Sequence, residues 1–319
     1  MSPPTSSVTS AAEPDRVGLE RRNPRYGEKA IIGLLAVCAA LSVAVTVGIL
    51  VSLVGPTVSF FQEVPFSEFF SFAEWSPLFA DGEFGVFQIV AGTLNVALWA
   101  TVVGVPLGLG AAIYLAEYAG PRVRQVLKPT LEVLAGVPTV AFGFFALTFI
   151  TPLLSDLWPG FLGDGPSIFS AGAAGIAIGL MVLPIVASIS DDAMTSVPNG
   201  LREGAYALGA TRLKVATRVV VPAALSGIVA SFVLAISRAV GETMVVLIAA
   251  GNSPNLTLNP AETIQAMTAF IATTATGDIG QGTIEYETIF AVGALLFVMT
   301  MVMNVFAIRL VRKYREVYE

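Results

Sequence analysis

The sequence predicts an all-α, polytopic membrane protein with six transmembrane helices, and three observations lead there. Of the 319 residues, 55% are hydrophobic and only 13% charged, with a mean hydropathy of +0.78, whereas a soluble domain carries about a quarter charged residues. Six apolar stretches, about 30–54, 88–115, 131–154, 167–190, 221–250 and 285–308, reach the roughly 20 residues needed to cross the hydrocarbon core. Strict apolar–polar alternation is absent, and Ala, Leu, Gly and Met run through the stretches, so helices are the means of satisfying their backbones in lipid.

In chain order, residues 1–28 are polar and rich in Ser, Pro and charge, and read as a disordered cytoplasmic tail ahead of a membrane domain over 29–319. The first apolar stretch, Ala30 to Val54, is long enough to span and is not closed by a small-residue cleavage site, so it reads as a retained helix rather than a signal peptide. Basic residues set the orientation. The tail holds Arg16, Arg21, Arg22, Arg25 and Lys29, and the loop after the second span Arg122, Arg124 and Lys128. The loop after the fourth holds Arg202, Arg212, Lys214 and Arg218, and the C-terminus Arg309, Arg312, Lys313 and Arg315. With six spans these sixteen of seventeen Lys and Arg fall on one side, which the positive-inside rule makes cytoplasmic, with both termini. The opposite loops, 55–87, 155–166 and 251–284, hold none, though they carry acids such as Glu63, Glu74, Asp81, Asp156 and Asp278.

Composition also excludes chemistry. There is no histidine and one cysteine, Cys38, so an intrachain disulfide is impossible and His/Cys metal sites and His-based catalysis have no residues to use. None of the four lysines follows a glycine, so the Gly-Lys-Ser/Thr end of a phosphate-binding loop is absent. A pI near 4.8 argues against a nucleic-acid partner. No catalytic residue, metal site or cofactor is predicted.

The seventeenth basic residue, Arg238, lies in the fifth stretch, and Glu242 follows four residues later, which on a continuous helix is the same face. They are the only Arg and carboxylate well inside an expected span. Ionisable residues there are costly and mark a substrate or ion path; a structural ion pair between helices is the other reading, and both stay open. Gly104, Pro106, Gly136, Pro138 and Pro184 suggest close helix packing and kinks. Phe142, Phe144, Phe145 and Phe149 read as packing or lipid contact. Residues 261–276 suggest a short interfacial helix on the outer side.

The loop 191–220 contains Glu203-Gly204-Ala205, then Gly209, then Val219, Val221 and Pro222. This resembles the EAA signature of ABC importer permeases, with Gly204 in place of Ala and Val221 in place of Leu. The resemblance implies a type I permease fold and a coupling helix that docks in a groove of a separate ATPase. Small residues Ala205, Ala207, Gly209 and Ala210 would let it sit deep. Glu203 is expected near the start of that helix, where a carboxylate suits the dipole, and Arg212, Lys214 and Arg218 toward its far end. Pro222 is expected at the entry of the fifth span.

Three further segments resemble the phosphate-specific members. The run Ser237-Arg238-Ala239-Val240-Gly241-Glu242-Thr243-Met244 looks like their Arg-Ala-x-Gly-Glu-Thr motif, and Val105–Tyr118 and Leu134–Leu147 look like their second and third spans. Glu74-Trp75-Ser76-Pro77, Phe84-Gly85 and Gly92-Thr93-Leu94 look more like the PstC than the PstA type. The resemblance implies a permease importing inorganic phosphate across a prokaryotic inner membrane, with Arg238, Glu242 and Thr243 on the substrate path. It also implies three partners: a PstB-like ATPase dimer, a PstA-like second permease and a PstS-like extracytoplasmic phosphate-binding protein. Chemically, Arg238 offers a fork of donors to a tetrahedral oxyanion, and Glu242 accepts a hydrogen bond from P–OH, which sulfate lacks. A phosphonate or sulfate permease, a secondary transporter and a membrane enzyme are the rivals. The Arg-x-x-Gly-Glu-Thr run, the lack of further intramembrane coupling groups and the lack of catalytic side chains speak against them in turn.

Overall fold

The computed structural model describes residues 26–79, 82–160 and 165–313. Of the expected tail over 1–28, residues 1–25, and with them Arg16, Arg21, Arg22 and Arg25, lie outside the described residues, as do Asp81 and Arg315, while 26–28 are helical. The chain divides into two compact units, 1–50 and 51–319. In the first, the described residues belong to the start of helix α1 (Tyr26–Glu63), whose apolar side chains between Ile31 and Ile49 are exposed. That suits a helix that meets lipid instead of water.

Among the described residues, the regular structure of the second unit is helical, with one isolated bridge between Trp75 and Phe84. Its centre is a pair of helices, α3 (Phe87–Ile113) and α7 (Ala171–Thr195), which pack with their chains running in the same direction. Glycines set the spacing. A Cβ on Gly104 would lie 2.7 Å from the Gly179 carbonyl oxygen, and one on Gly175 would lie 2.5 Å from Trp99 Cβ. Only glycine lets the two backbones approach this closely. Gly104 thus has the packing role read from sequence. Around the pair, Ala174, Ala177, Ile178 and Met181 pack with Val246 and Ile264 into the main apolar core.

A second core lies at the end of the unit from which α3 and α7 start. Phe60, from the last turns of α1, meets Phe69 and Phe84 edge-on at 5.4 and 5.5 Å, and Trp75 meets Phe270 at 5.0 Å. Phe69 belongs to the single turn α2 (Phe66–Phe69). Phe270 belongs to α13 (Met267–Thr276), which is packed inside the unit with Met267, Thr268, Ala269 and Phe270 buried. The expectation of an interfacial helix over 261–276 is therefore corrected. The preceding loop is pinned: Ala171 and Gly172 donate backbone hydrogen bonds to the carbonyls of Glu262 and Pro260, and Asn95 Nδ2 donates to the Thr257 carbonyl at 2.9 Å. Its partners are invisible in sequence because they lie on α3 and α7, far away along the chain.

Among the described residues, five helices are long and apolar enough to span: Gly27–Glu63, Phe87–Tyr118, Thr139–Asp156, Ala171–Thr195 and Ile284–Arg312. The sixth is a bent pair, Arg212–Ala223 and Leu225–Val240, at 74°. The expected third span begins too early. Residues 131–135 end a separate amphipathic helix, α4 (Pro121–Ala135), and the span restarts at Thr139 in α5 (Thr139–Phe145). Pro138 has no N–H and forces Val137 out of the helical region, which breaks the apolar run there. The span continues through a π turn, 146–150, into α6 (Thr151–Asp156). Phe142 is buried in it, whereas Phe144, Phe145 and Phe149 face outward. The last span is α14 (Ile284–Lys313).

Candidate functional site

The fifth span is discontinuous where its two ionisable residues sit. Helix α11 (Leu225–Val240) ends just before Gly241, and a short helix, α12 (Met244–Ala249), follows. Arg238 therefore lies in the last turn of α11 and Glu242 in the break, and the expectation that they share one face of a continuous helix is corrected. The break is stabilised locally. Glu242 N–H donates back to the Ala239 carbonyl at 3.3 Å, and Thr268 Oγ1, from α13, donates to the freed Glu242 carbonyl at 2.7 Å. Irregular backbone at membrane depth needs such internal partners.

The two side chains have opposite environments. Glu242 is 7% exposed, and its Oε1 accepts weakly from Val245 N–H at 3.5 Å, as a cap on α12. Arg238 is exposed and, among the described residues, makes no hydrogen bond or ion pair. The neighbouring Ser237 Oγ donates to Asn304 Oδ1 of α14 at 2.9 Å. Thr243 is half-buried at the start of α12, its hydroxyl near the Gly241 carbonyl at 3.5 Å. The break thus presents a free guanidinium beside a buried carboxylate, and the two do not neutralise each other.

At the other end of the second unit lies the loop that resembles the EAA signature. Its helix, α8 (Asn199–Ala207), buries no residue. Glu203 and Gly204 are exposed, Ala205 is half-buried, and Leu208 is 91% exposed at the tip. Gly209 adopts φ +78°, its N–H donates to the Tyr206 carbonyl, and Ala210 N–H donates to the Ala205 carbonyl at 3.1 Å. Gly209 is thus the left-handed residue that closes the helix, a position favouring glycine for backbone reasons.

Two positional expectations change. Glu203 is the fifth of nine residues in α8, away from its start. Arg212 and Lys214 belong to the next helix, α9 (Arg212–Val215), capped by Thr211 Oγ1. Past a π turn at 216–220, Pro222 sits in α10 (Val221–Ala223), just before the 74° bend, on the near side of α11. A helix-forming run continuous in composition hides both the left-handed turn and the bend.

Two ion-pair groups that sequence spacing does not reveal lie at this end of the unit, and the first joins the loop to the bundle. Arg202 of α8 donates from Nε and Nη2 to Glu117 Oε1, both at 3.1 Å. It also donates from Nη1 to the Val197 carbonyl at 2.6 Å and from Nη2 to the Met194 carbonyl at 2.7 Å. Glu117 lies in a π turn, 114–118, that extends α3; Ala119 N–H reaches five residues back to the Tyr114 carbonyl at 2.8 Å. A π turn adds a residue to the helical register and rotates the residues beyond it by about 100°. Glu117 lies inside this turn. Its side chain is only 4% exposed, that of Arg202 14%.

The second group ties α4 to α7. Asp191, fully buried, receives Arg124 Nη2 at 2.8 Å and Lys128 Nζ at 3.1 Å through Oδ2. Lys128 also reaches Asp192, which is 64% exposed. Burial works against the Lys128 charge, but its bonds to Asp192 and Asp191 outweigh that and raise the ammonium above its ordinary 10.5. Among the described residues, no three His, Cys, Asp or Glu side chains are grouped to hold a metal ion.

The family described as binding-protein-dependent transport system inner membrane component matches residues 104–316, which include the break, the loop and both ion-pair groups. A probable ABC transporter permease protein, YqgH of Bacillus subtilis, is 34% identical over 288 residues, covering 90% of this chain and 91% of that protein. The phosphate transport system permease protein PstC of Xylella fastidiosa is 32% identical over 267 residues, covering 77% of this chain and 80% of that one. In fold, the chain is similar to a bacterial ABC transporter involved in the import of the acidic polysaccharide alginate, with a TM-score of 0.62 at 17% identity over 90% of this chain and 98% of that one. The chain belongs to the binding-protein-dependent transport system inner-membrane components.

Proposed function

We propose that this chain is a membrane-spanning permease subunit of an ATP-driven importer and that it moves inorganic phosphate. One observation carries the reading: an arginine in the fifth span that is exposed and, among the described residues, unpaired, beside a break in the helix that holds a buried carboxylate. An arginine at membrane depth cannot face hydrocarbon without a cost of at least about 3 kcal/mol, so it faces another protein or a water-filled path. The free guanidinium offers paired donors to a tetrahedral oxyanion. Glu242 repels a fully ionised anion but accepts a hydrogen bond from P–OH, which phosphate retains near neutral pH and sulfate does not. Relatives bearing the name phosphate transport system permease support the choice of substrate.

The chain is a transport subunit and leaves ATP hydrolysis to a separate polypeptide. In this reading the exposed helix α8, with Glu203, Gly204, Ala205 and Gly209, docks on a PstB-like ATPase dimer. A PstA-like permease completes the path, and a PstS-like protein delivers phosphate to the outer face. Both termini are cytoplasmic, following the basic residues.

The test is reconstitution of the four-component complex in vesicles with radiolabelled phosphate. The reading predicts uptake that requires ATP and is displaced by unlabelled phosphate but not by excess sulfate. Uptake without ATP, or equal displacement by sulfate, would overturn it.

A further inference from the structure

We propose that Arg202 and Glu117 form a strut that transmits motion of the docking helix α8 to the α3–α7 pair, making Arg202 a positioning residue for energy coupling. The proposal rests on the reading of α8 as the ATPase-docking element. Helix α8 has no fully buried residue and only Ala205 packs against the neighbouring apolar cluster, so its apolar tie to the bundle is slight. The short connection from α7, Ser196 to Pro198, would absorb displacement if it were the sole link.

Arg202 bypasses that connection. One guanidinium joins α8 to the carbonyls of Met194 and Val197 at the end of α7 and to the carboxylate of Glu117 at the end of the second span. Both charged side chains are nearly enclosed, so water competes poorly for the contact. Upstream, α3 and α7 are in close backbone contact at Gly104, Gly175 and Gly179. A push or pull on α8 therefore reaches the two spans as a rigid pair. Glu117 sits in the π turn that closes the second span, a kind of irregularity frequent at functional sites. The exposed Glu203, by contrast, is left free for contact with the ATPase.

The experiment compares Glu117→Gln, the double variant Glu117→Leu with Arg202→Met, and Leu208→Asp in the reconstituted complex. Complex yield, basal ATP hydrolysis and ATP hydrolysed per phosphate imported are measured, each per assembled complex. The strut predicts that Glu117→Gln keeps the ATPase bound and hydrolysing while ATP used per phosphate rises about tenfold. It predicts that the double variant, which removes both charges, restores any lost yield but not the ratio. A wild-type ratio in Glu117→Gln, or a ratio restored along with yield in the double variant, would overturn the strut and leave the docking reading standing. Leu208→Asp tests that reading separately and should release the ATPase. Normal ATPase binding and uptake in Leu208→Asp would sink the docking reading, and the strut with it.

Discussion

Asp191 and Asp192 are adjacent, identical in chemistry and indistinguishable by sequence, yet the structure assigns them different energetic weights. Asp191 is fully buried and shared by Arg124 at 2.8 Å and Lys128 at 3.1 Å, while Asp192 is 64% exposed and touches Lys128 alone. Replacing each by Asn removes the charge with little change of volume. Removing one partner of a buried pair costs about 3–5 kcal/mol. Here Arg124 keeps its bond to Thr195 Oγ1 and Lys128 its pair with Asp192, and the two side chains, 31% and 24% exposed, regain some water. The cost of Asp191→Asn therefore falls to about 2–3 kcal/mol. Asp192→Asn breaks an exposed pair and should cost less than about 1 kcal/mol. At roughly 2–4 °C per kcal/mol, the first substitution lowers the apparent melting midpoint by about 4–12 °C and the second by less than about 4 °C. The assay is loss of the monodisperse peak of the detergent-solubilised complex on heating, with one fixed heating protocol because such unfolding is irreversible. Equal shifts for the two variants, or a larger one for Asp192→Asn, would refute the assignment.

The same geometry predicts other outcomes. Gly175→Val places a Cβ 2.5 Å from Trp99 Cβ and should destabilise the α3–α7 pair by about 1–3 kcal/mol, seen as reduced complex yield, whereas Gly110→Ala, with nothing within 4 Å, should be neutral. Gly209→Ala, at φ +78°, should cost about 1 kcal/mol and weaken ATPase copurification, while Gly204→Ala, exposed with nothing within 4 Å, should copurify normally. In a Cys38→Ala background, Ser253→Cys should react with an impermeant thiol reagent on intact cells, and Leu208→Cys only after the membrane is opened; external labelling of Leu208→Cys would contradict the orientation.

Much of the fold is legible in the sequence because the bilayer imposes a simple length rule on apolar runs. Composition alone locates spans two, four and six within a few residues. It misplaces the third and fifth, because an apolar run shows how much chain is buried but not where it bends. Pro138 signals the first break. The second, at Gly241 to Thr243, depends on Thr268 bonding the Glu242 carbonyl from a distant segment, which no local pattern encodes. The candidate site is legible as residue types, Arg238 and Glu242, but their separation is not: an i, i+4 rule presumes the helix continues. Glu117 and Asp191 escape notice for a related reason. In sequence Glu117 looks like the end of a span and Asp191 like the start of a loop, and only the Arg202 contact and the longer α7 reveal both as buried.

The central claim is that Arg238 meets the transported anion, and the most direct measurement is radiolabelled phosphate uptake by complexes carrying Arg238→Leu together with Glu242→Leu. Removing both charges leaves no stranded ion, so assembly should be near normal, and complex yield is measured alongside. If Arg238 contacts phosphate, the assembled double variant transports nothing. Arg238→Lys is also severely impaired, because a point charge does not reproduce the planar fork. Glu242→Gln, which keeps an acceptor near the Val245 N–H, transports with relaxed discrimination against sulfate. An assembled double-leucine variant that imports phosphate at the wild-type rate would contradict the account.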